Sequence, residues 1–508
     1  MPDKEKKIGF LIKSISAAFV AGCFAVVLCP SPAKGEPAAE ENIKADVRPQ
    51  IPANKKFSLV DCLNEVLRNN SEILLAQKEL ERAKRAVVSA KAVLYPHVTG
   101  SVTSGLSDGD LFNDKGYSWF KDSWSVSLNL NHSLYSGGRN RNQVAISKLS
   151  DDLAAVQFQT TVNQLIHKTR VAFYDVIVNQ SEIEVRKQNI ELLKREVERQ
   201  KGLFKAGRTT RFNIVRTEVR LANEMPGFEI SQNNMRTSVM NLMELMGKNW
   251  TKDFKIEDFQ LEGELSVTPY PSDPDEIVYQ ALSRSPELTA QDKQAEINKR
   301  QLQIAKATYI PTLNLNASTG VTQDDAKGPG FFDHSTSSTV ALTGSWNIFD
   351  GFSGVASAKL AKIQVERGAI QREQVARRIE YDVRKALLTL QQAETSLKSQ
   401  KGNVAMATQA VDLAKSAVEN GMGTQLDILQ ATVDLKTAQN IELKARHQYS
   451  VALADLDRVM FSRMFPMDAE VDSSIPSIKY LPSKPPIRAV PSNLSLRSSF
   501  PSTTKMQP

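Results

Sequence analysis

Apolar residues recur at helical spacing along most of the chain and predict six helical regions. The regions are 57–95, 139–205 and 212–248 in the first half, and 275–308, 353–420 and 425–463 in the second. In the two longest regions an apolar residue stands at every seventh position. The two series are Val176, Ile183, Ile190, Val197 and Phe204, and then Leu390, Leu397, Val404, Val411 and Val418. Sustained heptads predict left-handed coiled coils, and an unbroken helix over 139–205 would extend roughly 100 Å.

Strict alternation of apolar and polar residues predicts four strands in two hairpins. The hairpins cover residues 98–135 and 312–349, with strands at Val98–Gly105, 123–134, Thr312–Val321 and Val340–Ile348. In 123–134 every second residue from Trp124 to Leu134 lies on one, mostly apolar, face, and serine or asparagine fills the other. Tilted strands of about 9–11 residues span a bilayer. A half-buried sheet of a soluble protein shows the same alternation, so the pattern alone leaves both interpretations open.

The loops between the predicted strands favour the membrane interpretation. They are polar, at 106–122 and 322–337, and Trp119, Trp124 and Trp346 lie in or beside them, as expected of aromatic girdles at membrane interfaces. Four strands cannot close a barrel, since the smallest transmembrane barrels use about eight. Because an open sheet edge in lipid leaves backbone groups unpaired, several chains would have to share one barrel.

The two halves of the chain repeat each other at an offset of 214–215 residues. The sequence KAVLYP at 91–96 recurs as KATYIP at 306–311, LYSGG at 134–138 as IFDGF at 348–352, and GRTTRFNI at 207–214 as GMGTQLDI at 421–428. Each half therefore contains a helix, a hairpin, a long helix, a turn and another long helix. These halves predict two structural repeats, 57–250 and 275–463.

The ends of the chain lie outside the repeats. A lysine-rich start, an apolar run over 15–28 and small residues up to Ala33 predict a signal peptide at 1–33. Acylation of Cys23, within a Val-Ala-Gly-Cys sequence, is the alternative processing. Residues 34–56 form a polar N-terminal extension, and the Pro/Ser-rich segment 466–508 predicts a disordered tail.

Composition excludes several other classes of protein. No stretch after the N-terminus holds the ~20 apolar residues of a membrane-spanning helix. The net charge of +7 falls to +5 without the predicted leader, and acidic residues are interspersed with basic ones, which argues against nucleic-acid binding. Of three cysteines only Cys62 follows the leader, so no intramolecular disulfide forms after cleavage, and we expect it to pack as a small apolar side chain.

Catalytic and cofactor chemistry is not visible in the sequence. The five histidines are scattered at 97, 132, 167, 334 and 447, without metal-ligand spacing. No Ser/His/Asp signature, phosphate loop or nucleotide fingerprint is found. We therefore expect no enzymatic activity, no cofactor and no metal site.

The ordered set of landmarks resembles the TolC family of outer-membrane efflux and secretion ducts, over about residues 57–465. The resemblance rests on the duplicated layout, the Lys-Ala-x-x-x-Pro sequences that lead into the strands, Gly137 and Gly351 after the hairpins, and the turn 421–429. It implies a mainly α fold with a small β part. In that family three chains share a twelve-stranded transmembrane β-barrel, and their long coiled-coil helices continue it as a trimeric α-barrel.

The resemblance also implies a passive exit duct in the cell outer membrane, with its helical barrel in the periplasm. An inner-membrane pump drives the cargo and a periplasmic adaptor protein joins pump to duct, while the turns after the long helices form the entrance and the adaptor-docking surface. The turn residues are Gly207, Arg208, Arg211 and Asn213, and Gly421, Gly423, Thr424 and Asp427. The family often places a pore-facing acid at the position of Asp427, where three copies would form a ring. Capping of the following helix explains an aspartate there equally well.

The entrance departs from the family pattern. Some members close it with tyrosine–aspartate–arginine links, whereas this chain has Val418, Asn213 and Gly423 at the corresponding positions. That latch is therefore expected to be absent. We hypothesise instead that Arg208 or Arg211 pairs with Asp427.

Pro226 is a second departure, because it falls inside the helical region 212–248 while its counterpart near Asn440 has no helix breaker. Proline removes a helix hydrogen bond and clashes with the preceding turn, so we expect a kink or a short break. The kink would act as a local bend or as a hinge for opening the duct.

Three other functions compete with a small-molecule efflux duct. A duct for type I protein secretion belongs to the same class. A soluble periplasmic coiled-coil scaffold belongs to another class and predicts no channel activity. An exported hydrolase would need a catalytic constellation that the sequence lacks. The identities of the cargo, the pump and the adaptor cannot be read from the residues.

Overall fold

The computed structural model describes residues 57–107, 121–248, 261–263, 265, 273–323 and 334–461. The predicted leader with Cys23, the extension 34–56 and the tail 466–508 lie outside these residues. The elements, in chain order, are α1 (Leu59–Asn69), α2 (Ser71–Ala92), β1 (His97–Ser107), β2 (Lys121–Ser136), α3 (Arg139–Lys205), α4 (Arg211–Leu245), α5 (Pro274–Arg284), α6 (Pro286–Lys306), a 3-10 turn (Ala307–Tyr309), β3 (Thr312–Gln323), β4 (His334–Ser345), α7 (Ser353–Glu419) and α8 (Gln425–Met460). The predicted fold class, mainly helical with a small β part, is confirmed.

The predicted helices 57–95 and 275–308 are each two helices, because a capping residue interrupts them. Asn70 ends α1, and its Oδ1 accepts a hydrogen bond from the first turn of α2 at 2.8 Å. Its Nδ2 donates to the carbonyl of Leu245 at 2.8 Å, which ties the break to the end of α4. Ser285 acts similarly in the second repeat: its Oγ accepts from the Leu288 N–H at 3.3 Å, and Pro286 begins α6. The prediction of continuous helices is wrong at these two residues.

The four strands form one antiparallel sheet in the order β1-β2-β3-β4. Its register places apolar residues opposite one another on one face, as in Val102 with Val126, Val126 with Val321, Ala317 with Val340, and Leu315 with Leu342. Polar residues pair on the other face, as in Ser101 with Ser127, Asn131 with Asn316, and Asn314 with Thr343. The predicted alternation is confirmed, and the pairing extends it from single strands to the whole sheet.

The last predicted strand is too long at its C-terminal end. β4 ends at Ser345, so Trp346 and Ile348 lie beyond the strand and not on its apolar face. The Trp346 indole N–H donates to the carbonyl of Tyr309 at 3.1 Å, and the chain then turns toward α7. Trp346 therefore lies at the end of the sheet, outside the hydrogen-bonded part of β4. Trp119, also predicted as an interfacial residue, lies outside the described residues.

A bulge corrects the predicted face of Leu134. The β2–β3 register shifts between Ser133 and Tyr135, so Leu134 is an extra residue and Tyr135 pairs with Leu313. Leu134 and Tyr135 are adjacent apolar residues, so the alternation breaks at the bulge, just where the strand predicted over 123–134 ends.

The long helices have the predicted extent, since α3 and α7 each span 67 residues. Every heptad residue of both series is buried or half-buried except Phe204, which is 46 % exposed. The predicted apolar seam is thus present along both helices. In α3 the last buried heptad residue is Val197, eight residues before the helix ends at Lys205.

Helix α4 runs without interruption through Pro226, so the expected break is wrong, while a kink there stays a prediction. A proline removes only one backbone hydrogen bond, and Arg186 of α3 contacts this turn. Its guanidinium lies 3.7 Å from Glu224, and Gly227 leaves room for it, since a Cβ there would stand 2.5 Å from an Arg186 nitrogen. Helix α4 is therefore continuous at the turn where it packs against Arg186 of α3.

Each repeat buries its own hydrophobic core. The first combines α1, the middle of α3 and the end of α4, through side chains such as Leu63, Phe173 and Leu242. The second combines α5, α7 and α8, through Val383, Leu456 and their neighbours. Burying such large side chains contributes about 1.5–3 kcal/mol each. These cores hold the long helices side by side.

The described residues form two compact units that draw on both repeats. The sheet unit consists of Arg85–Lys148 and Lys299–Ile363, and the remaining described residues form the helical unit. Both turns predicted as the entrance belong to the helical unit. Among the helices that the structure describes, none is long and apolar enough to cross a membrane.

Candidate functional site

Two turns join the long helices, and they are the predicted entrance. The first turn, Gly207–Ile214, connects α3 to α4, and the second turn, Gly421–Leu429, connects α7 to α8. In the first turn the Arg208 N–H donates to the carbonyl of Leu203 at 2.8 Å, and the Gly207 N–H donates to that of Phe204 at 2.9 Å. The second turn repeats this pattern at 2.8 and 3.1 Å. The paired bonds satisfy the last carbonyls of a helix that stops at a left-handed residue.

Glycine is required in both turns by the backbone alone. Gly207 has φ 69° and Gly421 has φ 71°, which confirms the predicted positive φ. A Cβ at either position would meet nothing within 4 Å. Gly423 differs, because a Cβ there would stand 3.1 Å from the Cβ of Ala417, so this glycine lets the second turn pack closely on the end of α7.

Asp427 caps the helix that follows the second turn. Its Oδ2 accepts hydrogen bonds from the backbone N–H and the hydroxyl of Thr424, each at 2.7 Å. The bond from the Thr424 hydroxyl, and to a smaller extent the bond from the Thr424 backbone, holds the pKa of Asp427 below its usual value. Asp427 therefore caps the helix within one chain. A ring of three such acids stays a prediction.

The first turn has no acid at the equivalent position. Asn213 there donates from Nδ2 to the Thr209 hydroxyl at 3.0 Å, and Thr209 in turn donates to Gln200 of α3 at 3.2 Å. Arg208 and Arg211 are exposed. One turn is therefore basic and the other acidic.

The hypothesised pairing of these arginines with Asp427 is not formed within the described chain. Asp427 takes its hydrogen bonds from Thr424, and no ion pair joins it to Arg208 or Arg211 among the described residues. Pairing between neighbouring copies stays a prediction.

Exposed apolar side chains surround both turns; the heptad pattern predicts one of them, Phe204, to be buried in the seam, and no pattern predicts the exposure of the others. Phe212 is 70 % exposed and Met422 is 82 % exposed. Phe204 in the last turn of α3 and Leu426 in the first turn of α8 are also exposed, at 46 % and 38 %. The signal was an aromatic residue and a methionine placed in or next to a turn, outside the heptad seam. Such residues suit a surface that contacts another protein.

A polar seam joins α3 to α8 and is the second notable feature of the helical unit. His167 contacts Asp455 at 2.8 Å, Asp175 contacts His447 at 2.8 Å, and Lys444 contacts Glu182 at 3.1 Å. Arg170 reaches the buried Asp457 at 3.1 Å. The seam links the first repeat to the second within one chain.

The histidines of this seam have partners that sequence spacing could not reveal. His447 and Asp175 stand 272 positions apart in the chain. Contact with His167 lowers the pKa of Asp455, and the nearby Arg458 and Lys385 lower it further. We interpret these pairs as links between helices, since each histidine faces a single carboxylate.

The described residues offer no metal centre. In the part of the chain that the structure covers, no three His, Cys, Asp or Glu side chains come together as a metal site. Cys62 is a free, buried thiol within the first core, and burial raises its pKa to about 12. It packs as the sequence predicts.

A family model described as outer membrane efflux protein matches residues 62–248 and 277–460. Both repeats are matched, and the two segments together make up more than half of the chain. The outer membrane efflux protein BepC of Brucella suis is 20 % identical over 397 residues, which cover 78 % of this chain and 83 % of BepC. The alkaline protease secretion protein AprF of Pseudomonas aeruginosa is 24 % identical over 419 residues, covering 79 % of this chain and 83 % of AprF.

A solved structure shows the same fold. The crystal structure of the CmeC outer membrane channel of Campylobacter jejuni superposes with a TM-score of 0.68 at 16 % identity. The superposition covers 79 % of this chain and 85 % of that one.

Proposed function

The chain belongs to the outer membrane efflux protein family, and from that premise we propose that it is the exit duct of a tripartite efflux system for small molecules. Three copies share a twelve-stranded β-barrel in the outer membrane, and their helices form a barrel in the periplasm. An inner-membrane pump expels the cargo and a periplasmic adaptor joins the pump to the duct. The duct conducts passively and performs no catalysis.

The sheet is the observation that carries this proposal. Its apolar face is open, with Val102 78 %, Val340 77 % and Leu342 61 % exposed. Within the described sheet β1 and β4 each have one neighbour, so each outer edge presents a row of backbone groups to whatever lies beside it. In lipid such edges must be paired. Three copies of a four-stranded sheet supply twelve strands, enough for a closed barrel.

The test combines location with conductance. The full-length protein is expressed in a bacterium with an outer membrane, and inner and outer membranes are separated on a density gradient. Purified protein is then added to a planar bilayer. We expect the protein in the outer-membrane fraction and discrete steps of current. A protein that stays soluble without detergent and conducts nothing would instead support the coiled-coil scaffold.

Protein secretion is the second candidate function, because the relative AprF is named as a secretion protein. A deletion strain separates the two. We expect loss of the duct to raise sensitivity to small toxic compounds and to leave secreted proteins unchanged. Retention of one secreted protein inside the cell, with unchanged drug sensitivity, would favour secretion over efflux.

The two turns are the proposed adaptor-docking entrance. Their support is the pair of exposed apolar side chains, Phe212 and Met422, on helix ends that reverse sharply at glycine. A photo-crosslinking residue at either position is expected to capture the adaptor in intact cells. The same residue at Tyr279, which is 51 % exposed in α5 away from the turns, is the matched control.

Gating by charge at the entrance is tested with Asp427→Ala. Pairing of Asp427 with Arg208 or Arg211 of a neighbouring copy predicts a larger single-channel conductance and greater leakage of antibiotics into the cell in the variant. Unchanged conductance and leakage would leave Asp427 with its helix-capping role alone.

A further inference from the structure

Basic residues are concentrated where the helices meet the sheet. The helical and connecting segments of the sheet unit are 85–96, 137–148, 299–311 and 346–363, and they contain ten lysines and arginines against one acid, Asp350. The whole chain is nearly balanced, with 64 basic and 57 acidic residues. A solvated helix face usually mixes both signs. This part of the molecule does not.

All four segments reach the sheet at the same end. β1 and β3 begin there and β2 and β4 end there, as the register of Ser136 opposite Thr312 and of Thr312 opposite Ser345 requires. Five basic residues lie close to that end: Lys91, Arg139, Arg141 and Lys306, which are within six residues of a strand, and Lys359 in the second turn of α7. We call these five the basic belt. All are exposed, and none forms an ion pair with a described residue.

The single acid of these segments is already used by the fold. The Asp350 carboxylate accepts a hydrogen bond from the Gly354 N–H at 2.7 Å, at the N-terminus of α7. An anion there is stabilised by the free N–H groups of the helix. Asp350 therefore caps α7, and its one negative charge cannot balance the five positive charges of the basic belt.

An exposed apolar segment lies between the end of β4 and Lys359. Ile348 is 81 %, Phe349 73 % and Phe352 71 % exposed, and the rings of Phe349 and Phe352 meet edge to face at 5.6 Å. Phe352 holds a left-handed backbone with φ 69°, where the first repeat has Gly138. Aromatic side chains followed by lysine and arginine are typical of a boundary between acyl chains and headgroups.

We propose that the basic belt binds the headgroups of anionic phospholipids in the leaflet that faces the helices, while the segment Trp346–Phe352 lies at the acyl boundary. The inference rests on the proposed position of the sheet in the outer membrane. Charge complementarity selects the occupant, because phosphatidylglycerol-type headgroups carry the negative charge that the belt lacks. The apolar segment favours a lipid surface over a free phosphate.

The experiment measures which lipid stays bound to the detergent-solubilised, full-length protein. Equimolar phosphatidylglycerol and phosphatidylcholine are added, excess lipid is removed by size-exclusion chromatography, and retained lipid is counted by mass spectrometry. We expect a preference for phosphatidylglycerol of about fivefold or more, since one basic side chain at an anionic surface contributes about that factor. Salt at about 1 M should reduce the preference by screening.

Variants locate the preference on the chain. Substituting all five belt residues with glutamine should bring the ratio to about one, and exchanging lysine for arginine and the reverse at the same positions should keep it. The matched control substitutes five exposed basic residues of the helical unit that form no ion pair with described residues. They are Lys194, Lys205, Arg220, Lys398 and Lys401.

The outcomes separate this inference from the proposed function. If the wild type forms channels but shows no lipid preference, or the glutamine variant keeps it, the belt does not bind lipid and the duct proposal stands. If the glutamine variant changes the ratio of anion to cation permeability with lipid retention intact, the belt lines the duct instead, and the lipid inference is wrong. A wild type that conducts nothing and stays out of membranes would overturn both.

Discussion

Gly247, just beyond the end of α4, offers a sharp test of how the first repeat is packed. Its φ is +67°, and a Cβ added there would stand 2.4 Å from the carbonyl oxygen and 2.8 Å from the carbonyl carbon of Asn69. Both contacts are with backbone at the end of α1, which cannot rotate away. The glycine therefore allows the end of α4 to touch the end of α1, next to the bond from Asn70 to Leu245.

The cost of Gly247→Ala has two parts. A left-handed backbone costs a residue with a Cβ about 1–2 kcal/mol, and forcing an extra methyl into a packed site costs about 1–3 kcal/mol. We expect a total loss of about 2–5 kcal/mol in the free energy of unfolding. Gly421→Ala is the matched control, since φ is 71° there and nothing lies within 4 Å of the new Cβ. Gly421→Ala should cost only the left-handed backbone part, about 1–2 kcal/mol.

Urea unfolding in detergent, followed by far-ultraviolet circular dichroism, measures both variants. The midpoint should fall clearly further for Gly247→Ala than for Gly421→Ala, with the same slope. Equal shifts would refute the close contact between α1 and α4.

Three further predictions test separate features. Phe352→Gly should be more stable to urea than Phe352→Ala by about 1 kcal/mol, because only glycine relieves the left-handed backbone, and equal midpoints would contradict that strain. Contact with His167 lowers the pKa of Asp455 in the folded protein. The pair therefore stabilises the fold at pH values above the pKa of an unfolded aspartate, about 3.9, and this stabilisation is lost as the pH falls through the lower folded pKa. Asp455→Asn should therefore flatten the stability profile below about pH 4, and an unchanged acid limb would argue against the pair. Because burial raises the pKa of Cys62 to about 12, iodoacetamide should modify this thiol only after denaturation, and rapid labelling of native protein that disappears in Cys62→Ser would show the core to be open.

Local periodicity predicted most of the fold because each signal needed only neighbouring residues. The heptads of α3 and α7 and the alternation through Leu128 and Leu130 are properties of single segments, and both correspond to buried seams or paired faces in the structure. The errors fall where a long-range contact decides. Asn70 divides a helix while it bonds to a carbonyl 175 residues away, and no local pattern records that partner.

The candidate site was predictable in position and less so in chemistry. Gly207 and Gly421 marked both turns, since the reversal of a long helix calls for a positive φ. For Asp427 the sequence left two roles open, a pore-facing acid and a helix cap. The structure shows the capping hydrogen bond from Thr424, and that bond is compatible with either role. The seam from His167 to Asp455 stayed hidden, because it joins residues from different repeats.

The number of copies in the assembled protein tests the central claim most directly. Four strands per chain in a closed twelve-stranded barrel require three copies, so native mass spectrometry of the detergent-solubilised, conducting fraction should give one species with the mass of three chains. A conducting species of one, two or four chains would contradict the shared barrel.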